Sequence, residues 1–343
     1  SNQQQHGKLA AERRHAAFGN AAAAIGNDFG QVVHHAGTIA TDGGNGHVLP
    51  ARSSGVVHGR KCTGTGLASG HTAPVTSRAM FSGSLVAIVT PMQGDGAIDF
   101  GAWDRLLDLH LASGTAGVVV GGSTGESVTL SEEELLQLLA RAHTRLNGRM
   151  PLIAGVGGSS TAAVIARVRR LAASRLDALL AVTPAYNRPT QEGLYQHFAA
   201  IAAAAAAPVL LYNVPGRTAV DLLPATVARL AELPSIVGIK EAVSDLARIR
   251  ELLRVLPARC AVLSGDDASA CEAVLAGAHG VISVSANLVP VAMAALMRAA
   301  TRGERALAER LDAPLGALHR DLGVESNPIP VKWALAEMGL IGT

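Results

Sequence analysis

Cysteine, aromatic residues and excess charge are all scarce in this 343-residue chain. Its three cysteines, Cys62, Cys260 and Cys271, have neither metal-ligand nor redox spacing. Such an odd, sparse set excludes a disulfide framework and fits a reducing compartment, the cytoplasm. A net charge of only +2 provides no footprint for nucleic acid or an anionic membrane surface. Apolar runs are short: the longest, residues 199–211, falls well below the roughly 20 residues a spanning helix needs. No G-x-G-x-x-G follows the first apolar run, so the dinucleotide signature of an open doubly wound sheet is missing. No His, Asp and Glu set at ligand spacing argues for metal-assisted chemistry.

What the chain has is apolar substance: 49% of residues are hydrophobic and 16% charged, enough for a large core. Two regions differ in composition. Residues 1–79 hold seven of the twelve histidines and thirteen glycines, with Phe18 and Phe29 as their aromatics. They show no sustained apolar period, so they cannot bury enough surface to offset the entropy of ordering. They are read as a disordered, low-complexity extension, with Met80, just before the first regular pattern, as an alternative start. His34-His35 is the one close pair there, and no carboxylate is spaced to help it bind metal.

From residue 80 short Val, Ile and Leu-rich runs alternate with amphipathic stretches. The runs are 85–91, 116–122, 151–157, 178–184, 208–215, 236–242, 260–267 and 280–287, each bounded by Gly, Pro or Asn. Helical patterns lie at 99–113, 131–146, 161–175, 191–206, 224–233, 245–256, 267–278 and 288–302; Ser131 and Glu134 form a capping box. Strands buried on both faces and separated by helices make a parallel sheet, and eight such units predict a closed (β/α)8 barrel over residues 80–303. Two helical stretches, 304–322 and 330–340, follow as a C-terminal segment, residues 304–343.

Barrel enzymes place their chemistry at the carboxyl ends of the strands. The sixth ends in Lys240, after Val237-Gly238-Ile239 and with no basic neighbours. A lysine facing a barrel interior is costly to keep charged, and a neutral amine is suited to imine formation with a carbonyl. The alternative, a surface lysine paired with Glu241, is awkward because adjacent strand residues face opposite ways. Tyr212, ending the fifth strand, offers a phenol for proton transfer or a simple core tyrosine. Ser123 and Thr124, in Gly121-Gly122-Ser123-Thr124-Gly125-Glu126, offer hydroxyls and backbone amides to a carboxylate, or form only a turn. Arg217 suits a bidentate carboxylate pair, or is a surface arginine. Asp266-Asp267 reads as a helix cap and Glu126 as structural.

The strings GSLVAIVTPM, GGSTGES, VTPAYNRPTQEGLYQHF, LLYNVPGRT, GIKEA, LSGDDAS, GVISVSAN and NPIPVKWA occur in this order. With them, residues 80–343 closely resemble the 4-hydroxy-tetrahydrodipicolinate synthase (dihydrodipicolinate synthase) family, pyruvate-dependent class I aldolase-type barrel lyases of lysine and diaminopimelate biosynthesis. The resemblance implies that Lys240 forms a Schiff base with pyruvate while Tyr212 shuttles protons. It implies a relay of Tyr212, Thr124 and Tyr186, the last from a neighbouring subunit, with Ser123 in place of the threonine many relatives carry. It further implies pyruvate seated by Thr124 and the backbone at Ile282, and Arg217 on the carboxylate of L-aspartate 4-semialdehyde. The expected assembly is a homotetramer, a dimer of dimers, and no cofactor is needed.

Sialic acid lyases and keto-deoxy sugar acid aldolases share the lysine, the tyrosine and the glycine-rich turn; Arg217 and Tyr186-Asn187-Arg188-Pro189 favour the lysine-pathway enzyme. A catalytically silent barrel is the rival of another class. Glu132, Leu135, Ser159, Ala163 and Ala185 stand where lysine-inhibited members of the family hold the effector, and most cannot grip an amino acid. Insensitivity to lysine is expected. The pattern stops soon after Leu340 where relatives continue, which leads to an expectation of apolar surface left uncovered and weaker assembly.

Overall fold

The eight apolar runs are eight strands, and each hands its chain to a helix that covers its outer face. In the computed structural model, which describes residues 80–342, they are β1 (Gly83–Ala87), β2 (Gly117–Val120), β3 (Leu152–Val156), β4 (Ala178–Val182), β5 (Val209–Asn213), β6 (Ile236–Glu241), β7 (Ala261–Ser264) and β8 (Gly280–Ser283). All pair in parallel with their neighbours in sequence, and β8 closes on β1. The sheet is therefore the closed barrel the alternation predicts. The reading of residues 1–79 lies outside the described residues.

The helices are α1 (Phe100–Ala112), α2 (Glu132–Leu146), α3 (Thr161–Arg170), α4 (Gln191–Ala204), α5 (Pro215–Thr218), α6 (Pro224–Leu230), α7 (Leu246–Val255), α8 (Asp267–Leu275) and α9 (Pro290–Thr301). Beyond the barrel come α10 (Arg305–Asp312), α11 (Gly316–Asp321) and α12 (Ile329–Glu337). The capping box of α2 forms as expected: the Ser131 hydroxyl accepts from the Glu134 N–H while Glu134 accepts from the Ser131 N–H at 2.8 Å. Asp266 caps α8, but Asp267 does something else, accepting from the Val284 and Ser285 amides at 2.9 and 2.8 Å.

Three local readings change. The 304–322 pattern is not one helix, because a 3-10 turn at Ala313–Leu315 separates α10 from α11. Pro314 sits in that turn, and it has no N–H to continue the α-ladder. The 161–175 pattern ends as α-helix at Arg170 and tightens into a 3-10 turn over Leu171–Ser174. The short helix α5, hidden between β5 and α6, is absent from the periodic reading because four residues are too few to show a period.

Two buried clusters follow from the pleat. Leu85, Val119, Ile153, Leu180, Leu210, Leu263 and Ile282 fill the barrel interior, and Phe81, just before β1, joins them. Val86, Val118, Ala154, Leu179, Leu211, Ile239 and Val262 face the helices, where Trp103, Leu138 and Phe198 complete the larger core. With so few rings available, close-packed aliphatic side chains carry most of the packing. Each such side chain fully buried is worth about 1.5–3 kcal/mol.

One strand breaks the pleat. Val209 pairs with Ile236, yet the next residue, Leu210, pairs with Gly238, so β6 carries an extra residue at Val237. Ile236 faces the helices; after the bulge Ile239 does so again and Lys240 turns inward beside Tyr212 and Leu263. Gly238 permits this close passage, since a Cβ there would stand 2.3 Å from the Ala261 carbonyl oxygen.

Candidate active site

Lys240 is 4% exposed, and its Nζ lies 4.6 Å from the centroid of the Tyr212 ring. The two residues are Cα partners across β5 and β6, so the ladder itself sets them side by side. An amine against the face of a phenol is a cation–π geometry when protonated. It also leaves the phenol hydroxyl of the same ring available for proton traffic. Room for the lysine stem comes from Gly265, where a Cβ would meet Lys240 Cε at 2.8 Å.

Glu241 points the other way, as the pleat requires, and is fully buried outside the barrel. Its carboxylate accepts from Asn213 Nδ2 at 3.0 and 3.1 Å and from the Val243 amide at 2.9 Å. Burial pushes its pKa up to about 7, against the opposing pull of these hydrogen bonds and of Arg248. The pairing of Lys240 with Glu241 is thus excluded by geometry.

Thr124 is buried in the turn after β2, and its hydroxyl accepts from Asn327 Nδ2 at 2.9 Å. That turn is drawn tight by Thr90, whose hydroxyl donates to the Gly125 carbonyl at 2.8 Å, and by the Ser123 carbonyl accepting from Glu126 N at 3.1 Å. Arg217 rides on α5, anchored by Thr183 Oγ1 donating to Thr218 Oγ1 at 3.0 Å. Its Nη2 donates to the Asn327 carbonyl at 2.8 Å. Asn327 therefore bridges Thr124 and Arg217, two residues on different strands' loops. Ile282 lies in β8, buried in the lumen layer.

Tyr186 stands apart from these residues. It is 93% exposed, at φ 73°, in the loop after β4 that Ser159 and Asn187 tie to the loop after β3. A bulky residue in the left-handed region is uncommon, and such strain is concentrated at functional sites.

Sequence reasoning missed the part played by the C-terminal segment. Besides Asn327, Lys332 on α12 reaches back so that its Nζ donates to Glu126 Oε1 at 2.6 Å. Glu126 is structural, as expected, but through this long-range pair. Both partners sit in the NPIPVKWA string, the signal that could have found them. Among the described residues no group of His, Cys, Asp and Glu is placed to hold a metal ion, and no helix is long and apolar enough to cross a membrane.

Comparison with known proteins joins this geometry to chemistry. The sequence profile of the Dihydrodipicolinate synthetase family matches residues 80–343. A 4-hydroxy-tetrahydrodipicolinate synthase of Methylococcus capsulatus is 52% identical over 262 residues, 76% of this chain and 90% of the relative. Among solved structures, the chloride-inhibited dihydrodipicolinate synthase of Acinetobacter baumannii, complexed with pyruvate, superposes with a TM-score of 0.75 at 49% identity, covering 76% of this chain and 90% of that one. A monomeric dihydrodipicolinate synthase variant matches with a TM-score of 0.75 at 39% identity, over 78% of this chain and 90% of the other.

Proposed function

The chain belongs to the dihydrodipicolinate synthetase family, and from that premise we propose that Lys240 is the residue through which it condenses pyruvate with L-aspartate 4-semialdehyde. The product is 4-hydroxy-tetrahydrodipicolinate, and the enzyme is a lyase of lysine and diaminopimelate biosynthesis. The observation that carries the assignment is a buried lysine at the carboxyl end of a barrel strand, lying against a tyrosine ring.

The Lys240 amine adds to the pyruvate ketone and water leaves, giving an imine. Once protonated, that imine is an electron sink, so a methyl proton departs and an enamine forms. The enamine carbon bonds to the aldehyde carbon, whose oxygen takes up a proton. The amino group of the new chain then attacks the imine carbon, closes the ring and frees Lys240. One water is released overall.

The Tyr212 hydroxyl moves protons at the imine and at the new alkoxide, in relay with Thr124 and with Tyr186 of a second subunit. Ser123 and Thr124, with the backbone at Ile282, seat the pyruvate carboxylate and carbonyl. Arg217 has donors left over after its bond to Asn327 for the carboxylate of the aldehyde substrate. The outward stance of Tyr186 supports its donation to a neighbour and thus an assembly of at least two chains; its extension to a homotetramer of paired dimers rests on the family resemblance alone.

Incubation with pyruvate, reduction with borohydride and mass measurement of the tryptic peptides test the assignment. A reduced pyruvyl adduct on Lys240 is expected, and an unmodified Lys240 peptide defeats it. Mixing inactive Tyr186→Phe and Lys240→Ala chains tests the shared site. Mixed assemblies recover activity if Tyr186 serves its neighbour's lysine and stay silent if it serves its own.

A further inference from the structure

Directly behind Tyr212 and Lys240, on the helix-facing side of the same two strands, lies a charged network that the reaction does not consume. Asn213 and Glu241 are Cα partners one step beyond Tyr212 and Lys240, and both are fully buried. Asn213 Nδ2 donates to Glu241 and also to Asp221 Oδ1 at 2.7 Å, while Asn213 Oδ1 accepts from the Leu222 amide at 3.0 Å. Arg248, at the start of α7, grips Asp221 through two nitrogens at 3.1 and 2.7 Å and lies 3.6 Å from Glu241 Oε2. One interlocked set thus joins the ends of β5 and β6, the loop before α6, and α7.

A buried charge network is an expensive way to join strands, since apolar side chains of similar size often serve stability as well or better. Glu241 is the most deeply buried carboxylate among the described residues. Its position explains the expense. The bulge at Val237 interrupts the ladder between β5 and β6, and a bulge leaves the local pairing loosened and twisted. Downstream of it, only four residue pairs, Leu210–Gly238 to Asn213–Glu241, define how high Lys240 stands against Tyr212. A side-chain clasp across the last of them fixes that height.

We propose that the Glu241–Asn213 clasp, braced by Asp221 and Arg248, is a positioning device that holds Lys240 in register with Tyr212 for imine formation. Glu241 acts through Lys240 and touches no substrate. The inference rests on Lys240 being the imine-forming residue.

The test is the first-order rate of borohydride-trapped imine at saturating pyruvate, per folded molecule, together with the pyruvate concentration giving half that rate. Glu241→Leu removes the acceptor oxygens, and Glu241→Gln keeps one for Asn213. Glu241→Leu is expected to slow trapping roughly tenfold or more, with half-saturation shifted less than about twofold, because sub-ångström misplacement of a reacting group is paid in rate. Glu241→Gln should return the rate to within about threefold of wild type. Wild-type rates in Glu241→Leu, or equal slowing in both variants, overturn the inference. If Glu241→Leu does not fold, Asn213→Ser, which withdraws the other half of the clasp, decides by the same rate criterion. Absence of trapping in the wild type would instead defeat the assignment of Lys240, so the two failures are distinct.

Discussion

The Nζ of Lys240 lies over the ring of Tyr212, 4.6 Å from its centroid, and the backbone ladder between β5 and β6 holds the pair there. Removing only the hydroxyl separates the two uses of that ring. Tyr212→Phe keeps the aromatic face under the amine and loses the proton carrier. Turnover should fall about 10²–10⁴-fold, the usual worth of a positioned acid or base, while the melting temperature stays within a few degrees. Steady-state kinetics beside thermal denaturation check this; near-normal turnover would remove Tyr212 from the proton path.

Gly265 keeps the space into which Lys240 extends. A methyl group at 265 would stand 2.8 Å from Lys240 Cε and 2.9 Å from Ala242 Cβ, too close for both. Gly265→Ala is expected to displace the lysine and to reduce pyruvate trapping at least tenfold, with a stability loss of about 1–3 kcal/mol from overpacking. Trapping kinetics and denaturant titration on the same preparation read both effects.

Asn327 donates to Thr124 through its side chain and accepts from Arg217 through its carbonyl. Asn327→Ala leaves the carbonyl in place and removes only the bond to Thr124. A single hydrogen bond has a net worth of about 0.5–1.5 kcal/mol, so kcat/KM should drop up to about tenfold. Arg217→Ala should instead raise KM for the aldehyde and spare pyruvate trapping. Measuring both parameters for both variants separates the relay from the carboxylate clamp.

His110 is fully buried on α1, with Nδ1 2.9 Å from the Thr115 hydroxyl. Burial lowers its pKa to about 4. The unfolded chain takes up this proton near the ordinary value of 6.5 and the folded chain only near 4, so acid favours unfolding in that window. The contribution is fully present above pH 6.5 and is lost as pH falls towards 4, amounting to about 3 kcal/mol. His110→Asn, which does not titrate, should be less stable than wild type at pH 7.5 and lose its disadvantage by about that amount at pH 4. Urea titrations at both pH values decide; a constant difference refutes it.

Resistance to lysine is expected from side chains already spoken for. Glu132 is ion-paired with Arg170, Leu135 is buried against Gly121, and Ala163 and Ala185 have no polar side-chain atoms. A coupled assay should show no inhibition at sub-millimolar lysine; inhibition there would mean another binding mode.

The barrel was legible because its strands are apolar on both faces and its helices are not, a contrast that repeats eight times. The strand ends then offered Lys240, Tyr212, Thr124 and Arg217 as candidates. Periodicity could not show which way Lys240 faces. In Ile236-Val237-Gly238-Ile239 no polar residue marks a side, and the extra residue is visible only in the pairing. Nor could local patterns place Asn327 and Lys332, which meet Thr124 and Glu126 across more than 200 residues of chain. Contacts of that kind come from closure of the whole barrel.

The irregularity at Val237 also decides which face of the sheet carries the chemistry. Straightening β6 there into an ordinary pleat, with all six residues kept and no chemical group altered, would put every residue after Val237 on the opposite face. The amine would then rotate towards the helical shell and the Glu241 carboxylate into the lumen. An imine-forming cavity would become an acidic one with no nucleophile, whereas deleting Val237 would keep Lys240 opposite Tyr212 and the amine inside, so for this enzyme the way β6 pairs matters more than how many residues it holds.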